Sequence, residues 1–146
     1  MQEDSDSLVS KGKAALAYRD YPRALDCFER ALQMERTPQA CSYLAYCLAK
    51  VRRNYEEAMN LALEALAAEP QNPLHYLNFG RVLALAGNRE QAIKTLRRGL
   101  DYGMHLEIMR ELESFGVRKP PVFKKLPRDH FLNRYAGFIL ARLKLR

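Results

Sequence analysis

The chain has 146 residues, 48% of them hydrophobic and 28% charged, and no apolar run approaches the ~18 residues of a membrane-spanning helix. Such a chain is expected to form one soluble domain burying roughly two-thirds of its unfolded surface, which excludes a membrane span, a disulfide miniprotein and a disordered tail. The net charge of +7 is uneven: residues 1–72 hold nine Lys/Arg against eleven Asp/Glu, residues 73–146 fifteen against six, and residues 116–146 nine against Asp129. That asymmetry fits an anionic partner, whether an acidic protein segment, a membrane surface or nucleic acid, as well as a solvated basic tail.

The N-terminal MQEDSDS is acidic, the opposite of a secretory signal, and three sparse cysteines (Cys27, Cys41, Cys47) fit a reducing cytosol better than a disulfide framework. Cys41 and Cys47 are six residues apart on one expected helix and turned away from a common face, so both read as small buried hydrophobes.

In chain order, apolar residues recur at three- and four-residue spacing in LVSKGKAAL (8–16), YPRALDCFERAL (21–32), CSYLAYCLA (41–49), YEEAMNLALEAL (55–66), YLNFGRVLA (76–84) and REQAIKTLRRGL (89–100), which predicts six helices. Thr37-Pro38 and Asn72-Pro73 combine a capping side chain with a first-turn proline, Asn88 can cap the sixth helix, and Asp20 and Gly87 mark tight turns. Self-comparison gives a strict period: Ala24, Ala58 and Ala92 are 34 residues apart, as are Leu32, Leu66 and Leu100. Gly12 and Gly80 each precede the repeat alanine by twelve residues, but Ala45 precedes Ala58 by thirteen, so one extra residue falls in the turn KVRRNY, balanced by a shorter link at ERTP. Small residues at Gly12, Ala45 and Gly80 let paired helices approach near Ala24, Ala58 and Ala92, while Phe28, Ala62 and Leu96 fill the facing spaces.

Beyond the repeats, MHLEIMRELESFG (104–116) predicts a capping helix closed by Gly116. Residues 117–128 hold three prolines and read as extended. Residues 129–146 predict a basic amphipathic helix whose docking face is Leu132, Tyr135, Ile139, Leu140 and Leu143. That helix can fold back on its own repeats, dock on another protein or a second copy, or lie on an anionic membrane.

These residues resemble the tetratricopeptide repeat family. Gly12, Tyr21, Ala24, Phe28 and Ala31 match its pattern in the first copy, Ala45, Tyr55, Ala58, Ala65 and Pro70 in the second, and Tyr76, Gly80, Ala92 and Leu96 in the third. Lys11 at an aliphatic position, Arg36 and Met104 in place of proline, and Arg89 in place of tyrosine depart from it. The resemblance implies an all-α, right-handed solenoid over 5–106, with units at about 5–37, 38–72 and 73–106. The tail's RKPP, LPR and LNRY stretches are similar to those of small bacterial members, implying a cytoplasmic bacterial protein.

The resemblance further implies a concave groove lined by the first helix of each pair: Val9, Lys13 and Leu16, then Tyr43, Tyr46 and Lys50, then Leu77, Asn78, Arg81 and Leu85. Its apolar, aromatic and basic mixture suits a peptide with apolar anchors and negative charge. The set of Lys, Asn and Arg by which some cochaperones of the family grip a C-terminal carboxylate falls here on Val9, Lys13, Tyr43, Leu74 and Asn78, so that clamp is not expected. Catalytic signatures are sparse: His75, His105 and His130 lack metal-site spacing, Gly80 and Gly87 are isolated, and Glu107 and Glu111 read as a solvated edge. Lys50, Arg52 and Arg53 form a basic turn that reads as a hydrated loop rather than a phosphate site.

The expectation is therefore a non-catalytic adaptor without cofactor or metal, binding a protein or peptide. Alternatives are a homo-oligomer built through the C-terminal helix, a secretion-type chaperone of the same repeat family, and an electrostatic binder of membrane or nucleic acid. The last two are disfavoured, by the basic C-terminal half and by the lack of a nucleic-acid reading motif respectively.

Overall fold

The computed structural model describes residues 3–116. The expected segment at 117–128 and the helix at 129–146, with its docking face, lie outside the described residues. Within them are seven α-helices and no strand: α1 (Ser5–Ala17), α2 (Tyr21–Met34), α3 (Pro38–Cys47), α4 (Tyr55–Ala68), α5 (Pro73–Leu85), α6 (Arg89–Gly99) and α7 (Leu106–Ser114). None of the described helices is long and apolar enough to cross a membrane.

Side-chain caps start the first six helices. Asp4 accepts from the Ser7 N–H at 2.7 Å, Asp20 from Arg23 at 3.2 Å, Thr37 from Ala40 at 3.2 Å, Asn54 from Glu57 at 3.3 Å, Asn72 from Leu74 at 3.1 Å and Asn88 from Gln91 at 3.3 Å. Each such cap contributes about 1 kcal/mol. In every pair the residue before the second cap is left-handed: Arg19 (φ 59°), Arg53 (φ 54°) and Gly87 (φ 86°). That conformation reverses the chain so that the second helix lies back along the first.

Chain division after Met104 sets two units. In the first, α1 pairs with α2, α3 with α4 and α5 with α6, and α2 meets α3, α3 meets α5 and α4 meets α5. Within the pairs, a β-carbon on Gly12 would sit 2.6 Å from the Phe28 ring, and one on Gly80 would sit 2.6 Å from Leu96. Phe28 and Leu96 are wholly buried, so glycine is what makes room for each large partner. The second pair solves the same contact differently, with buried Ala45 and Ala62 at the equivalent positions. Ala24, Ala58 and Ala92 are all fully buried, as intimate pairing of helices demands.

The odd residue of the second copy is absorbed by the helix itself. A π-helical turn over Leu48–Arg52 follows α3, and the caps Asp20, Asn54 and Asn88 then keep the 34-residue interval. One added residue widens a helical turn from i→i+4 to i→i+5 bonding, so the insertion stays local.

In the second unit, α7 buries Ile108, Met109 and Leu112 and is followed by Phe115 and the left-handed Gly116 (φ 72°). Met104 and His105, expected inside this helix, precede it. Met104 is exposed, and the His105 side chain makes no cap bond.

Candidate functional site

The ten expected groove residues lie on α1, on α3 with the π-helical turn that follows it, and on α5. They sort by depth. Val9, Leu77 and Asn78 are buried, and the Asn78 amide donates to the buried Ser42 hydroxyl at 3.0 Å, so this side chain ties α5 to α3. Leu16 and Leu85 are half-buried and packed on the core. Tyr43 lies flat on Phe28, with ring centroids 5.1 Å apart and planes 6° from parallel, so its ring extends the interior of the first pair. Lys13 is exposed.

Tyr46, Lys50 and Arg81 come together through a residue that sequence reasoning placed only as a family marker. Tyr21, the first residue of α2, meets Tyr46 edge-to-face with centroids 6.0 Å apart. The Lys50 ammonium lies 5.2 Å from the Tyr21 ring centre, and the Arg81 guanidinium carbon lies 4.9 Å from that of Tyr46. The result is a row, Lys50–Tyr21–Tyr46–Arg81, drawn from all three helix pairs. A cation held over a ring face keeps its charge while its freedom is reduced. The π-helical turn carries Lys50, so the inserted residue of the second pair bears on where this ammonium sits. The available signal for Tyr21 was its position at the foot of α2, next to the turn facing the end of α3.

Other polar groups hold the links between pairs. Arg36, standing where the family pattern has proline, grips Glu64 through two parallel bonds of 2.6 Å. Those bonds hold the Glu64 carboxyl below the usual carboxylate range. Arg52 of the π-helical turn is paired with Glu29 of α2, and Glu3 with Lys11 and Arg30. At the next link, Asn72 donates to Glu69 at 2.9 Å and the buried His75 ring lies 2.7 Å from the same oxygen, which together lower the Glu69 pKa. Tyr76 donates its hydroxyl to the Pro70 carbonyl at 2.6 Å and stacks on Tyr102.

All three cysteines are buried. Burial, with Cys27 nearby, pushes the Cys47 thiol up to about 12, and burial also raises Cys41, so neither is a thiolate nucleophile at neutral pH. Among the described residues no three His, Cys, Asp or Glu side chains gather as a metal site.

Residues 52–104 match the family model described as tetratricopeptide repeat. The Sgt2 TPR domain from Aspergillus fumigatus superposes with a TM-score of 0.62 at 24% identity, over 77% of this chain and 76% of that one. The first TPR of Spaghetti (RPAP3), bound to the HSP90 peptide SRMEEVD, gives 0.61 at 19% identity, over 77% and 90%. MamA 41-end from Desulfovibrio magneticus RS-1 gives 0.60 at 21% identity, over 97% and 76%. At these identities the structural likeness speaks to the fold: residues 52–104 match the tetratricopeptide repeat, and the three stacked hairpins of 34-residue period have the architecture of a tetratricopeptide repeat array.

Proposed function

We propose that this chain is a non-catalytic adaptor that holds a protein or peptide segment along the face of α1, α3 and α5, and that it works in the cytoplasm. The observation that carries this reading is the row Lys50–Tyr21–Tyr46–Arg81, which joins three repeats into one surface with positive charge at both ends and aromatic surface between. An apolar side chain gains by leaving water against the rings, at about 25 cal/mol per Å² buried, and an acidic group meets the exposed Lys50 ammonium. Lys13 extends the positive character of this face.

Peptide binding by solved relatives supports the class of partner, since the Spaghetti domain is bound to an HSP90 peptide and the second TPR domain of human RPAP3 to an HSP70 peptide. The carboxylate-gripping residues are missing here, with Val9 buried and Asn78 engaged by Ser42, so we expect no preference for a chain-terminal carboxylate. Titration of acidic-apolar peptides against the wild type and Tyr46→Ala/Arg81→Ala tests the assignment. The double variant is expected to weaken binding at least tenfold, the factor that ~1.4 kcal/mol represents. Equal affinity of both proteins would remove the site from this face.

A further inference from the structure

Positions 19, 53 and 87, spaced by 34 residues, precede the second cap of each hairpin and are left-handed, with φ of 59°, 54° and 86°. The third is Gly87, which takes this conformation without steric cost and shows that the turn forms with no side chain. The first two are Arg19 and Arg53, whose β-carbons crowd the backbone in that conformation. Packing does not offset the strain. Both arginines are exposed and, among the described residues, neither guanidinium is in an ion pair or hydrogen bond. A strained residue type repeated in two adjacent hairpins points to a role outside folding.

The two turns lie side by side. Tyr21 follows Arg19 by two residues and holds the Lys50 ammonium 5.2 Å from its ring centre, and Arg53 follows Lys50 by three. Arg52 of the same turn is paired with Glu29 of α2, which ties the second turn to the first hairpin. Of the nearby acids, Asp20 accepts the Arg23 N–H, Glu57 accepts the Asn54 amide, and Glu56 is exposed without pairing to either arginine. The edge therefore presents Arg19, Lys50 and Arg53, with the exposed ring of Tyr18 next to Arg19. Packed helices are about 8–10 Å apart, so these charges span roughly one hairpin, and Gly87 adds none in the next. A nucleic-acid backbone is gripped by about six to ten phosphate contacts, whereas so short a span suits a few carboxylates. We propose that Arg19, Lys50 and Arg53 form a docking edge for a short acidic cluster of a partner protein, which is why arginine stands in two of the left-handed turns. The edge goes beyond the face of α1, α3 and α5, because neither arginine belongs to those helices.

The test uses the full chain and two fluorescein-labelled peptides, Gly-Ser-Glu-Glu-Ser-Glu-Glu-Ser-Gly and its version with glutamine in place of every glutamate. Neither carries an apolar anchor, so the outcome is independent of the reading of the α1, α3 and α5 face. The wild type is expected to bind the glutamate peptide about fivefold to tenfold more tightly, the gain of a few exposed ion pairs. Arg19→Gly/Arg53→Gly should abolish most of that preference and yet raise the urea midpoint of unfolding, since glycine relieves both left-handed turns. The charge-matched control Lys94→Gln/Arg97→Gln, on α6, should keep the preference. No preference in the wild type, a preference retained by the glycine variant, or one lost equally in the α6 control overturns the docking edge. A midpoint that does not rise overturns the cost from which the edge is inferred. A thymidine oligonucleotide bound through the same arginines more tightly than the glutamate peptide overturns the choice of an acidic protein partner.

Discussion

Gly12 and Phe28 show how much of this fold is decided by one missing carbon. A β-carbon at Gly12 would come within 2.6 Å of a buried ring, so Gly12→Ala forces ring or helix to move, at about 1–3 kcal/mol. The second pair places alanine on both sides of the same contact, at Ala45 and Ala62. Gly12→Ala should therefore cost that amount in the wild type. In a Phe28→Ala background it should be neutral, or stabilising by up to ~1 kcal/mol from helix propensity. Urea unfolding of the four proteins of this cycle measures the coupling. Additive effects would mean that the pair does not interact as described. The complementarity of glycine with large and alanine with alanine was readable from the repeat columns, because sequence spacing within a helix fixes which residues share a face. Depth was not readable in the same way. Val9, Leu77 and Asn78 occupy inward registers yet lie buried, since depth depends on the volumes of neighbours contributed by other helices.

At the scale of elements, the links between hairpins depend on carboxylates. Arg36–Glu64 spans the first link, and Asn72 and His75 hold Glu69 at the second. Both carboxyls titrate below their ordinary value of 4.5 in the folded chain. Their contribution is thus fully present above pH 4.5 and is lost as the pH falls through the lower folded values. Melting temperature should decline on acidification below that point, and Glu64→Gln and Glu69→Gln should each flatten the decline. At neutral pH Glu64→Gln should cost less than about 1 kcal/mol, because its pair with Arg36 is largely solvated. An undiminished acid dependence in both variants would place the sensitive groups elsewhere. Arg36 read from sequence as a defect in a proline-closed turn. The bidentate pair shows a different means of holding the link, and its partner lies 28 residues away, beyond the reach of local pattern.

For the first unit as a whole, 3–104, stability is a sum of hairpins and of the interfaces between them. The middle hairpin, α3 and α4, has neighbours on both sides, and most of α3 is buried, from Ala40 through Ala49 apart from Tyr43 and Tyr46. Amide hydrogen exchange should therefore be slowest in α3 and α4 and faster in α1 and α2. Uniform protection would point to a single cooperative unit instead. Fold class and repeat count were legible because a 34-residue period survives in several columns at once. The row of cations and rings was only partly so: Tyr46, Lys50 and Arg81 follow from family register, but Tyr21 joins them through a contact between helices of neighbouring repeats.

The widened turn over Leu48–Arg52 has a consequence for how such arrays change over time. Because the register resumes at Asn54, a residue gained or lost there alters only the few side chains beside it, and every hairpin downstream keeps its stacking partner. Lys50 is one of those side chains, so this spot allows a lineage to vary the surface around the Tyr21 ring without rebuilding the scaffold that presents it.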